Sequence, residues 1–154
     1  MELIFRATRD GSNSESFHKK CDDQGPTITL IKSGTGYIFG GYSSISWSSK
    51  NERLNAPNSF LFTLTNCYNI KPTQFLSTND QKEVYHNSDY GPSFGNGTDL
   101  GINSEFINSG GWSNFPETYI DTTGKGKTLF TDNFDTRTNA KFEIKELEVF
   151  KVFK

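Results

Sequence analysis

Hydrophobic residues along this chain recur mostly at every second position and in short runs, the period of β-strands rather than helices. Leu3-Ile4-Phe5 opens with a short strand. Thr27-Ile28-Thr29-Leu30-Ile31 is β-branched and alternating, Ser33-Gly34-Thr35-Gly36 supplies turn residues, and Tyr37-Ile38-Phe39 returns, so the three segments predict a hairpin. Ser44-Ile45-Ser46-Trp47 alternates again and predicts a further strand or the bent extension of the last one. Ser59-Phe60-Leu61-Phe62-Thr63-Leu64, bounded by Ala56-Pro57-Asn58 and Asn66, is the strongest central strand. Gln74-Phe75-Leu76, Glu83-Val84-Tyr85-His86 and Asp99-Leu100-Gly101-Ile102 predict brief strands at a spacing that suits a sandwich or barrel. Lys141-Phe142-Glu143-Ile144 alternates strictly until Lys145-Glu146 sets two polar residues together, and a β-bulge near Lys145 would return Leu147 and Val149 to the face of Phe142 and Ile144.

The helical period is confined to one place. Ser12 stands three residues before Glu15 in a capping-box spacing, predicting a helix from Asn13 to Cys21 with Phe17 inward and Gly25-Pro26 ending it. Glycines sit beside aromatics at Gly40-Gly41, in Tyr90-Gly91-Pro92-Ser93-Phe94-Gly95, and at Gly110-Gly111-Trp112, where a β-rich chain must turn or bring backbones close. From Asn103 to Gly126 the chain is rich in Ser, Gly and Asn, which predicts long surface loops carrying Trp112 and Tyr119.

A length of 154 residues fits one domain, 1–154. The fold class this pattern gives is mainly β with a few short helices. Only 32% of residues are apolar, yet 14 Phe, 6 Tyr and 2 Trp make the expected core aromatic rather than aliphatic. A net charge of −2 with dispersed Lys and Arg excludes the electrostatic footprint of nucleic-acid binding and of a polybasic membrane anchor. No apolar run approaches a membrane span, and Met1 to Arg6 lacks the pattern of a signal peptide, so a cytoplasmic setting with reduced Cys21 and Cys67 is expected. Asn96-Gly97-Thr98 is then a turn signal before it is a glycosylation sequon.

Reactive chemistry is sparse. His18 and Cys21 share a helix face, but two ligands make no metal site, and the expectation is a packed Cys21 beside a partly exposed His18. The pairs Asp22/Asp23 and Asp132/Asp135 lack the alternating oxygen ligands of a calcium loop and read as solvated charge. Arg6, Arg9 and Asp10 predict a polar tie across the corner between the first strand and the helix. Tyr90 to Gly97 lacks the Lys-Ser/Thr ending of a phosphate loop. No cofactor and no metal are expected.

Seven blocks in order carry a resemblance: Leu3 to Gly11 with Arg6 and Asp10, Phe17 to Asp22 with Cys21, Gly25-Pro26 to Ile31, Gly36 to Tyr42 with Gly40-Gly41, Ser59 to Leu64, Tyr90-Gly91-Pro92-Ser93-Phe94-Gly95, and Glu146 to Phe150 with Glu148. Together they resemble a TLDc domain of the form common in protists, over nearly the whole chain. The resemblance implies a sandwich of two antiparallel sheets flanked by a few helices and no established catalytic residues. It also implies association with protection from oxidative damage and, in several members, binding and regulation of the vacuolar proton-pumping ATPase. Asn96 departs from a frequent glycine, and as a residue that tolerates left-handed backbone it is expected to keep the turn.

The expected function is therefore a non-enzymatic interaction domain with a protein partner. The alternatives from other classes are a thiol-dependent peroxidase, which needs an activated thiolate, and a glycan-binding module, which needs exposed ring faces. Loops 90–97 and 110–119 are the expected contact region, with Trp112 and Tyr119 as contacts and Phe94 as a plug of the core.

Overall fold

The computed structural model describes residues 1–79, 81–131 and 140–153. The first strand, β1 (Glu2–Arg6), runs into a one-turn helix α1 (Ala7–Asp10) and then α2 (Ser14–Cys21). Next come β2 (Thr27–Ser33), β3 (Ile38–Ser43), β4 (Glu52–Leu54), β5 (Phe60–Thr63) and β6 (Thr73–Leu76). Short strands β7 (Val84–His86), β8 (Ser93–Phe94) and β9 (Gly101–Ile102) follow, then α3 (Phe106–Ser109), β10 (Gly111–Ser113) and a 3-10 turn (Gly126–Phe130). The last two strands are β11 (Ala140–Phe142) and β12 (Ile144–Lys151).

Antiparallel pairing arranges these strands in one six-stranded sheet, β1-β12-β2-β3-β5-β6, and two three-stranded sheets, β11-β10-β9 and β4-β7-β8. An isolated bridge between Phe94 and Leu100 links the two small sheets into a second layer facing the large one. The expected antiparallel layers are present, the second of them made of two smaller sheets. Between the layers lie Phe39, Phe75, Phe94, Phe115, Phe130 and Phe142, all buried, with edge-to-face contacts such as Phe39–Phe142 at 5.0 Å and Phe115–Phe130 at 5.1 Å. Each buried ring contributes on the order of 2 kcal/mol through lost water contact.

The bulge falls where the sequence placed it. The β12–β2 register slips between Ile144 and Glu146, and Ile144, Leu147 and Val149 are all buried. Phe142 and Ile144 share the core from different sheets, because the chain crosses from the second layer to the first at Glu143.

Two local expectations fail. The N-cap of α2 is Asn13, whose side chain accepts from Ser16 N at 2.8 Å, while the Ser12 hydroxyl accepts from Ile107 N at the start of α3. Ser44 to Trp47 forms a loop with one bridge, Asp22 to Trp47, because Ser43 Oγ bonds Ile45 in both directions and Ser46 Oγ accepts from Gly25 N. The turn at Asn96 is kept, as expected, with Gly95 (φ +98°) and Thr98 (φ +58°) rather than Asn96 as its left-handed residues. The expected charge pair Asp132/Asp135 lies outside the described residues.

Gly40 and Gly41 sit inside β3, not at a turn, opposite Leu30 and Thr29. Their backbones are extended, so close approach rather than positive φ requires glycine. A Cβ on Gly41 would lie 2.7 Å from the Phe94 ring, and one on Gly40 would lie 1.9 Å from the Thr29 carbonyl oxygen.

Candidate interaction surface

Core-facing positions of β2, Thr27, Thr29 and Ile31, alternate with the outward apolar residues Ile28 and Leu30. Strand register lines these outward residues up. Leu3 faces Phe150, Phe150 faces Ile28, Ile28 faces Tyr42, Tyr42 faces Phe60, and Phe60 faces Leu76. One apolar side chain from each of the six strands thus forms a continuous row across the outer face. No element among the described residues covers it. Leu76, at the β6 edge, is 56% exposed, and the other five are half-buried by one another.

Packing within the face is specific. The Tyr42 and Phe60 rings stack at 5.1 Å, and Phe60 meets Phe62 at 6.4 Å. Phe62 lies opposite Gly40, and its ring tip would stand 3.0 Å from a Cβ there, so the ring roofs the glycine and leaves no furrow. Beside the row, Arg6 directs Nε and Nη2 to Glu148 Oε2, its cross-strand partner. Thr8 donates from both N and Oγ to Glu146. With Lys32 these groups wall a cavity of about 360 Å³ floored by Leu30 and Ile38.

The contact residues expected from sequence lie in the other layer, with different outcomes. Tyr119 is 2% exposed and its hydroxyl donates to the Glu83 carbonyl at 2.6 Å, so it is a core residue and presents no free ring to a partner. Burial pushes that hydroxyl well above the ordinary phenol range. Its backbone N and those of Glu117 and Thr118 donate to the buried Asp99 carboxylate, pinning the segment inward. Burial pushes the Asp99 carboxyl up, and those donors pull against the shift. Trp112 belongs to β10 rather than a loop and is half-buried; its indole lies over Gly101 with Tyr90 at 5.6 Å. Phe94 is fully buried beneath Trp47, ring centroids 5.5 Å apart, a plug as expected.

The motif residues hold the architecture. Asp10 accepts from Arg9 and from Arg6 N, the expected corner tie, and the Arg9 guanidinium holds its carboxyl down at about 2. Gly11 (φ +122°) and Gly25 (φ +76°) flank α1 and α2, Phe17 and Cys21 are in the core, and the Pro26 carbonyl accepts from Val152 N. Gly91 and Gly95 make room for Phe106 and for Asp99, with Pro92 buried between them.

His18 is buried rather than partly exposed, with Nδ1 on Asp22 Oδ1 at 2.7 Å and Nε2 donating to the carbonyls of Asn87 and Tyr90. Asp22 also accepts from Ser49 Oγ, so it is a tie rather than a solvated charge. Neither cysteine is in a disulfide, and burial pushes the Cys21 thiol far up, away from thiolate chemistry. No cluster of three metal-ligating side chains occurs among the described residues. No helix among them is long and apolar enough to cross a membrane.

Sequence reasoning missed the open face because its signal is ambiguous. Phe60-Leu61-Phe62 is apolar in both phases, which reads equally as a strand covered on both sides, and in Thr27 to Leu30 the buried phase is the threonines while Ile28 and Leu30 face out.

Curated relatives match part of the chain. The mTOR-associated protein MEAK7 of Danio rerio is 36% identical over 62 residues, 40% of this chain, and that of Xenopus laevis 35% over 66 residues, 41% of it. The Mus musculus protein is 29% identical over 62 residues. In each case the match spans 14% of the relative's length. The TLDc domain family model matches residues 1–153, nearly the whole fold described above, and the chain therefore belongs to the TLDc domain family.

Proposed function

We propose that this chain is a non-enzymatic, cytoplasmic interaction domain that engages a protein partner through the outer face of its six-stranded sheet. The observation that carries this reading is the uncovered row Leu3-Phe150-Ile28-Tyr42-Phe60-Leu76, since open apolar patches with stacked aromatics mark contact surfaces. Relatives named as mTOR-associated support a protein partner. Membership of the family favours subunits of the vacuolar proton-pumping ATPase as that partner and oxidative-stress protection as the setting. Trp112 is a secondary contact on the second layer. The buried Cys21 argues against the peroxidase reading.

The test is capture of purified proton-pump subunits on immobilised protein, comparing the parent with Tyr42→Glu and Trp112→Ala after folding is checked by circular dichroism. Tyr42→Glu should weaken capture at least about tenfold, as expected for a central aromatic anchor worth ~1.4 kcal/mol or more. Equal capture by folded Tyr42→Glu removes the sheet face from the interface. No capture by the parent removes the proton pump as partner.

A further inference from the structure

The outer face of the six-stranded sheet has the dimensions of another sheet rather than of a helix. Six strands about 4.8 Å apart place Leu3 and Leu76 about 24 Å from each other, and outward rows about 6.8 Å apart continue for about 14 Å along the strands, roughly 600 Å² in projection once side-chain radii are included. A helix about 10–12 Å across, laid along the strands, would leave half of that breadth wet. A helix also seeks an apolar groove, and over Gly40 the Phe62 ring fills the space that a missing side chain leaves. The 360 Å³ concavity lies off the apolar row, at the charged corner. Sheets, in contrast, meet face to face at about 10 Å with side chains interdigitating.

Charge permits two such faces to meet. The corner holds two cations, Arg6 and Lys32, and two carboxylates, Glu146 and Glu148, so apposing it with itself brings no net charge together. Accessible area exceeds projected area on a corrugated face, which brings each side towards the roughly 800 Å² that one partner contributes to a standard interface. We propose that a second copy of this chain covers the outer face, sheet against sheet, in a two-fold symmetric dimer. The proposal rests on the outer face being the contact surface and names what covers it when no other partner is bound. Self-association then competes with any other partner for the same residues.

Sedimentation equilibrium of the full chain from micromolar to submillimolar concentration tests this, with Phe60→Lys and Leu76→Lys as variants. Leu76 is more than half exposed, so its replacement leaves the core untouched and guards against a folding artefact. The expected result is a parent whose average mass climbs towards that of two chains and variants, equally folded, whose association is at least about tenfold weaker. A parent that stays at the mass of one chain, or a dimer that Leu76→Lys leaves intact, overturns the proposal. The same variants in the partner-capture experiment separate the two readings. Capture lost by the variants of a monomeric parent overturns only the second copy as occupant. Capture and mass both unchanged in the variants overturn the face as a contact surface as well.

Discussion

Gly41→Ala adds a single carbon, and the structure says where it goes: 2.7–2.9 Å from three atoms of the Phe94 ring. Carbon atoms rest about 3.5–4.0 Å apart, so the ring must retreat by somewhat under an ångström. It cannot do so freely. Phe94 is fully buried, lies edge-to-face on Trp47, and pairs through its backbone with Val84 and Leu100. Overpacking of this kind costs about 1–3 kcal/mol, and each kcal/mol lowers the melting midpoint by roughly 2–4 °C in a chain of this length. The backbone at Gly41 is extended, so none of that cost is conformational.

A second substitution makes the reasoning refutable. Phe94→Leu alone removes ring atoms and costs about 1–2 kcal/mol. In that background the added methyl meets no ring, and Gly41→Ala should then cost less than about 0.5 kcal/mol, a coupling of about 1 kcal/mol or more. Gly40 is the internal control. Its added carbon would strike the Thr29 carbonyl oxygen, a backbone atom, so Phe62→Leu should not rescue Gly40→Ala. Urea unfolding of the four members of the Gly41/Phe94 cycle measures the coupling directly. Additive costs within about 0.3 kcal/mol would refute the ring contact as the reason for glycine at this position.

Two further outcomes follow from buried polar groups. His86 is 1% exposed, bonded through Nδ1 to Ser48 Oγ, and burial lowers its pKa from 6.5 to about 4, so it is neutral in the native state. The unfolded chain takes up a proton first as pH falls, so stability is full above about 6.5 and declines by up to about 3 kcal/mol as pH drops towards 4. His86→Gln should flatten that part of the urea-midpoint profile, and an unchanged slope would contradict it. Tyr119→Phe should leave the secondary structure intact and cost about 0.5–1.5 kcal/mol, since the Glu83 carbonyl loses the hydroxyl but keeps its bond from Gly95 N, measured by thermal melting; a loss below about 0.3 kcal/mol would show that hydroxyl to be dispensable.

What could be read from the sequence was what is local. The hairpin of β2 and β3 is specified by β-branched alternation either side of a glycine turn, and the bulge at Lys145 by two adjacent polar residues that break the period. Failures came where a distant partner decides. Tyr119 sits in a Ser/Gly/Asn-rich stretch that looks like solvent-facing loop, and distant partners turn it inward: Asp99 and Glu83, 20 and 36 residues away, and a bridge to Ser77. His18 looks like an exposed helix residue until the carbonyls of Asn87 and Tyr90 close over it. The contact face was illegible for another reason. Alternation marks which residues share a face, and when both faces are apolar it cannot say which of them the fold leaves uncovered.

Pairing of β1 with β12 has a mechanical consequence. Glu2 lies opposite Lys151, so the chain enters and leaves the domain on neighbouring strands, about 4.8 Å apart. Such a module splices into a loop of a host protein without separating the host's flanking segments. Tension drawn through those two points would peel β1 from β12 rung by rung rather than shear all rungs at once. The domain would then yield to modest pulling from its ends, and the rungs would part in order, drawing Phe5 off the Phe17 and Phe106 rings before Arg6 left Glu148.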